Sequence, residues 1–243
     1  MPNQFSKFVE MHEINIKTFC FNPFRENTYL MWNQEGECVI VDPSPYTEDE
    51  KESLFLYISC NKLKPKEVWL THGHFDHVFG VAEVSRKFDI PVRMHPDDKV
   101  ILENNHIFAG GVLLKAPDCS FDTVDLVDGE ELEALPDSVF KVIWTPGHTP
   151  GSVCLVDFTD KVMLSGDTLF AGSIGRTDHL GGDYDKEILS IMDKLMGLPG
   201  DIDVLPGHGG KTSISDERTH NPFLQPFNEP EEDFLDQGIE IHG

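Results

Sequence analysis

The run Thr71-His72-Gly73-His74-Phe75-Asp76-His77 gathers three imidazoles and a carboxylate within six residues, directly behind the apolar Val68-Trp69-Leu70. Imidazole nitrogen suits zinc, iron, nickel and copper, and a carboxylate in the same cluster adds a hard anionic ligand. His72 and His74 are two apart, so in extended backbone their side chains share one side and can chelate a single ion, with Asp76 and His77 a step further round. A lone histidine is ordinarily a surface or core residue. Four such groups behind an apolar strand are a costly polar cluster unless something is coordinated there. The spacing points to two metals.

Elements that could position further ligands follow one pattern. An apolar strand ends, a small residue or turn comes next, and a metal-ligating side chain appears: Val68-Trp69-Leu70 leads to His72, Val142-Ile143-Trp144 to His148, Val162-Met163-Leu164 to Asp167, and Val204-Leu205 to His208. If these strands lie side by side with their ends aligned, the ligands converge on one rim. Thr145-Pro146-Gly147-His148-Thr149-Pro150-Gly151 and Leu205-Pro206-Gly207-His208-Gly209-Gly210 each hold an imidazole on a loop stiffened by proline and glycine, which limits the entropy lost on ordering it.

The assembled set is His72, His74 and His148 for a first ion and Asp76, His77 and His208 for a second, with Asp167 between them. Two divalent ions about 3.5–4 Å apart would acidify a shared water and polarise a bound carbonyl, with Asp76 and Asp167 as the catalytic carboxylates beside that hydroxide. The ligand types put zinc first and also admit iron or manganese. No Gly-x-Ser-x-Gly elbow is present for a serine nucleophile. Asp42, closing the strand Cys38–Val41, is either a turn former or a carboxylate that orients a ligand histidine by accepting its free ring N–H.

The remaining pattern is mixed α and β. Ile14–Cys20, Thr28–Trp32 and Cys38–Asp42 read as antiparallel strands, and Thr47 with Glu50 forms a capping box for a helix to about Asn61. Pro65 punctuates before a strand Glu67–Thr71. Val78–Phe88 reads as one helix, Ile90–His95 as a strand, Asp97–Glu103 as a short helix and Asn104–Ser120 as a loop. Strands are expected over Phe121–Leu126, Val139–Trp144, Ser152–Phe158, Lys161–Leu164 and Ile202–Pro206, and helices over Asp183–Leu195 and Ser213–Thr219.

The chain has 243 residues, enough for one large core, and is read as a single domain with a loose leader (1–12) and an acidic tail (225–243). Its formal charge of −24 argues against a nucleic-acid or anionic-membrane surface. No secretory signal or membrane-length apolar run is found, so a cytoplasmic location is expected. The five cysteines form no CxxC pair and read as reduced, small apolar residues.

At His72–His77 the sequence resembles the metallo-β-lactamase-fold superfamily, whose hallmark is His-x-His-x-Asp-His. Gly166-Asp167-Thr168-Leu169-Phe170, Ser173-Ile174-Gly175-Arg176-Thr177-Asp178 and Pro206-Gly207-His208-Gly209-Gly210-Lys211-Thr212 resemble the glyoxalase II-type hydrolases within it, over roughly residues 14 to 223. That resemblance implies an α/β (α+β) fold, a four-layer αββα sandwich with a dinuclear site at one edge, and hydrolysis of a small-molecule thioester. Arg176 matches a basic position near the substrate and is expected to meet a thiolate or carboxylate. About twenty residues follow Phe223, too few for the helical domain that holds glutathione in longer relatives, so a short form is expected. Two other functions are weighed: a persulfide dioxygenase with one iron on His72, His148 and Asp167, and a non-catalytic metal-binding interaction module.

Overall fold

The structure, a computed structural model, describes residues 14–135 and 138–225, so the expected leader and all but the first residue of the acidic tail lie outside the described residues. Its strands are β1 (Asn15–Phe21), β2 (Glu26–Trp32), β3 (Glu37–Val41), β4 (Lys64–Trp69), β5 (Val92–Met94), β6 (Thr123–Asp125) and β7 (Glu131–Leu135). They continue with β8 (Ser138–Trp144), β9 (Val153–Asp157), β10 (Val162–Gly166), β11 (Leu169–Phe170), β12 (Ser173–Ile174), β13 (Asp203–Pro206) and β14 (Thr212–Ser213). The helices are α1 (Glu48–Cys60), α2 (Phe75–Val78), α3 (Val81–Phe88), α4 (Lys99–Gly111), α5 (Tyr184–Leu189) and α6 (Ile214–His220).

Two six-stranded sheets form, one in the order β1-β2-β3-β4-β5-β6 and the other β14-β13-β10-β9-β8-β7, with β11 and β12 as a separate hairpin. Strand periodicity of two explains why the central strands are apolar throughout: each buries both faces. Val39, Val41 and Trp69 face Val153, Leu155, Val162 and Leu164 between the sheets. The alternate residues Cys38, Ile40, Val68 and Leu70 face outward onto Leu54 and Ile58 of α1 and Val81 and Val84 of α3. On the far side Cys154, Val156, Met163 and Val204 pack on Ile188 of α5, on Ile191 and Leu195 just beyond it, and on Ile214 of α6. This is the four-layer αββα sandwich.

Strand direction sets where the ligands fall. β3 and β4 run parallel, and so do β10 and β13; β8 runs the same way as β10 because each is antiparallel to β9. All therefore end on one rim, but β4 belongs to one sheet and β8, β10 and β13 to the other, so the ligands converge across the gap between sheets and not along a single sheet. Stitches hold that rim together: Asn27 N donates to Gly207 O (2.7 Å), Tyr29 Oη to Pro206 O (2.7 Å), and Val153 N to Thr71 O (2.9 Å).

Several boundaries differ from the sequence reading. Pro65 lies inside β4, where the register against β3 slips between Cys38 and Val39. The expected helix Val78–Phe88 is two helices, α2 and α3, broken at Phe79-Gly80; Gly80 packs so close to Pro45 that a Cβ would lie 2.5 Å from its Cδ. Asn104–Gly111, expected as loop, is the second half of α4, which buries Ile101, Asn105 and Ala109. The residues 190–195 continue α5 as a wider, π-type turn. Strand β7 carried no expectation. The Thr47–Glu50 capping box is formed, and Glu50 also accepts the Asn22 N–H (2.9 Å), fixing the loop that carries Phe24. All five cysteines are free, and among the described residues no helix is long and apolar enough to cross a membrane.

Candidate metal centre

Past Trp69 the chain stays extended through His72 and His74, the latter at the N-cap of α2, whose single turn carries Asp76 and His77. Three donor groups result, with ligand atoms mutually within 4.8 Å: His72, His74 and His148; Asp76, His77 and His208; and Asp42, His72 and His77. Asp167, just past β10, reaches both of the first two groups: its Oδ1 is 3.4 Å from His77 Nε2, and its Oδ2 is 3.6 Å from His148 Nε2 and 3.6 Å from His208 Nε2.

The tautomers implied by the outer hydrogen bonds show what these atoms present. His148 Nδ1 donates to Arg176 O (2.8 Å), His208 Nδ1 to Phe24 O (3.1 Å) and His77 Nδ1 to Asp42 Oδ2 (2.9 Å), which turns each Nε2 inward, where it is a lone pair once the ring is neutral. Thr71 Oγ1 donates to Asp42 Oδ2 (2.6 Å) and so accepts from His72 Nδ1 (3.1 Å), turning the His72 lone pair inward as well. Ring nitrogens then crowd together: His77 Nε2 lies 3.3 Å from His208 Nε2, and His74 Nδ1 lies 2.9 Å from His148 Nε2. His72 Nε2 and Asp167 Oδ1 are buried without any hydrogen-bond partner. Buried polar atoms left in this state are costly, and cations between them remove the cost. The residues present fit two metal ions.

Electrostatics agree. Burial drives His72 and His74 well below the ordinary histidine pKa and His148 down to about 4, keeping them neutral, the form a metal ligand needs. Burial also opposes charge on His77, but Asp167 and Asp42 outweigh it and hold its pKa well above the ordinary value. Burial would raise Asp167, yet His77, His208 and His148 around it hold that carboxyl far below the usual carboxylate range. Close packing shapes the rest: a Cβ on Gly207 would run into Asp167 Oδ1 and stand 2.6 Å from His77 Cε1. Asp42, in left-handed backbone (φ 47°), also accepts Thr71 N (2.8 Å), so it ties β3 to both His72 and His77.

Two buried carboxylates that the sequence reading missed anchor the ligand loops. Asp98 accepts from Gly73 N (2.6 Å), Thr149 Oγ1 (2.8 Å) and Gly151 N (2.6 Å), clamping the His72–His74 segment to the His148 loop. Glu187 accepts His148 N (2.7 Å), and burial lifts its carboxyl to about 8. A signal existed for Glu187, a carboxylate one turn before Ile191 on the buried stripe; Asp98 had none. His179 also lies at the site, its ring 4.6 Å from that of His74 and 4.9 Å from that of His148. Arg176 sits at the edge, its Nε and Nη2 donating to the two carboxylate oxygens of Asp178 at 2.8 and 3.1 Å.

Asp98→Asn replaces one acceptor oxygen with a donor that faces an N–H or O–H, an expected cost of about 1–3 kcal/mol in metal-stripped protein. Burial raises the Asp98 carboxyl from 3.8 to about 6, so the folded state holds that proton more tightly than the unfolded chain. Its contribution is therefore fully present below 3.8, falls as pH rises to about 6, and is flat above. The stability lost in the variant is expected to be larger at pH 4 than at pH 7, measured by urea unfolding at both. An equal loss at the two pH values would contradict the clamp's titration.

Comparison with known proteins gives a consistent picture. The family model of the metallo-beta-lactamase superfamily matches residues 21–208. Over 217 residues the chain is 35% identical to the hydroxyacylglutathione hydrolase GloC of Haemophilus influenzae, covering 87% of this chain and 98% of that one. The crystal structure of TTHA1623 in a di-iron-bound form superimposes with a TM-score of 0.77 at 36% identity, covering 86% of this chain and 100% of that chain. The crystal structure of BLEG-1 B3 metallo-beta-lactamase gives 0.75 at 34% identity, covering 86% and 99%.

Proposed function

We propose, from the premise that the chain belongs to the metallo-beta-lactamase superfamily, that it is a metal-dependent hydrolase of thioesters. The observation that carries the metal reading is the convergence of ring nitrogens from both donor groups on Asp167, together with the unpartnered His72 Nε2. His72, His74 and His148 would hold one divalent ion, Asp76, His77 and His208 the other, and Asp167 would be shared. Bound there, the ions would supply Lewis-acid polarisation of a carbonyl and lower the pKa of a coordinated water toward neutrality.

The side chains do the remaining work. Asp42, Thr71 and the carbonyls of Arg176 and Phe24 fix the ring orientations, so no ligand has to reorganise when a substrate arrives. Asp76, the second carboxylate facing the shared space, is the proton acceptor in this reading. A leaving thiolate, with a pKa of about 8.5 for a simple thiol, departs without a strong general acid. The substrate class is supported by the name of the Haemophilus relative, and zinc, iron and manganese all suit the donors.

Elemental analysis of the purified protein, run beside assays on S-lactoylglutathione, glutathione persulfide with oxygen uptake, and a chromogenic β-lactam, tests this reading. Two ions per chain with thioester turnover is the expected result. One iron per chain with oxygen uptake would replace it with a persulfide dioxygenase on His72, His148 and Asp167; full metal occupancy with no turnover would leave a binding module. The β-lactam arm is included because of the likeness to BLEG-1.

A further inference from the structure

A cavity of about 260 Å³ opens over the donor groups, lined beyond His74, Asp76 and His148 by the apolar Phe24, Phe75, Phe108 and Val112, with Arg176 and His179 completing it. The apolar residues come from three separate segments, the loop before β2, the first turn of α2 and the end of α4. Phe75 meets Phe24 edge-on at 5.2 Å, and Phe108 meets the His74 ring edge-on at 5.9 Å. Phe24 and Val112 remain 38% and 48% exposed, and Ile107 and Leu113, next to Phe108 and Val112 in sequence, are 59% and 93% exposed. An apolar surface of this kind, continuous with a metal centre, is what a bound apolar group would cover. The volume lies just under the roughly 300 Å³ at which pockets begin to hold a whole drug-sized ligand, so it seats the reacting end of a substrate.

Charge points the same way. Among the described residues Arg176 is the one Lys or Arg lining this cavity, and its Nε and Nη2 are paired with the two oxygens of Asp178. An anionic carrier would compete with Asp178 for that guanidinium and approach a chain of formal charge −24. His179 also lines the cavity, packed edge-on against His74 and His148, with its Nε2 buried and so not offered to a carrier.

We infer that the site selects thioesters with an apolar acyl chain on a carrier that bears no negative charge, in preference to acyl-glutathione. The inference rests on the thioester-hydrolase reading and deepens it. The chain occupies the Phe24, Phe75, Phe108 and Val112 wall, and the carrier lies toward the Arg176 side of the cavity.

Binding of non-hydrolysable thioethers, followed by calorimetry on metal-loaded and chelator-treated protein, tests it without relying on turnover. S-hexyl-N-acetylcysteamine is expected to bind at least about tenfold more tightly than its S-methyl counterpart, from burial of the added methylenes. S-hexylglutathione, with the same alkyl group on an anionic carrier, is expected to bind more weakly than the neutral hexyl compound. Phe108→Ala should shrink the hexyl-to-methyl ratio about threefold or more, with metal content and circular dichroism unchanged. Asp178→Ala, which frees Arg176, should shift preference toward the glutathione compound. Equal affinity for hexyl and methyl compounds, tighter binding of S-hexylglutathione by the parent protein, or no binding of the neutral hexyl compound would each overturn the inference. The hydrolase reading fails separately, if the expected binding order holds while no thioester is cleaved.

Discussion

Asp167→Ala is expected to lose metal from both positions and to lower kcat/KM on a thioester by on the order of 10³, since several kcal/mol of charge stabilisation at about 1.4 kcal/mol per tenfold are at stake. Its two oxygens lie 3.4 to 3.6 Å from nitrogens of both donor groups, His77 and His208 on one side and His148 on the other. His208→Ala, which removes a donor from only one group, is the comparison and should retain about one ion per chain. Mass-spectrometric metal analysis with circular dichroism as a folding check reads out both variants. Two ions per chain and activity within tenfold of the parent in Asp167→Ala would show that the carboxylate is not shared.

Chelation has the second largest expected effect. A ligand that binds only the folded state at about 1,000 times its Kd stabilises it by about 4 kcal/mol. At about 2–4 °C per kcal/mol for a chain of this size, Tm should fall by roughly 8–16 °C when the metal is stripped and recover when it is returned. Imidazole donors must shed protons to bind, so the gap between loaded and stripped protein should widen as pH rises from about 5 to about 8. Thermal scans at several pH values check this, and a gap independent of pH would argue against histidine ligation.

The sequence disclosed most of the candidate site because its donor residues sit on short turns directly behind strands whose two-faced burial makes them unmistakably apolar. His72, His148, Asp167 and His208 could each be found from the strand before it. Which sheet each strand joined could not, since Val68-Trp69-Leu70 and Val162-Met163-Leu164 have the same local character. Asn104 to Gly111 looked like loop because asparagine and glycine are poor helix formers; tertiary contacts decide otherwise, with Ile101 and Ala109 buried and Asn105 Nδ2 donating to Gly73 O (2.8 Å). Asp98 was invisible for a related reason. Its three donors come from residues 25 to 53 positions away, and nothing near it in sequence reports them. Arg176 is tied to Asp178, two residues on, a pairing that its spacing alone allowed.

The order of the strands along the chain has a consequence for how the molecule is made. Residues up to Asp125 build one sheet and those from Glu131 onward build the other, so His72, His74 and His77 leave the ribosome well before His148, Asp167 and His208 exist. The early histidines offer an incomplete, weak grip until the carboxyl half has folded and docked. If the proposed ions are bound, their uptake would be a late event that waits for both sheets to dock.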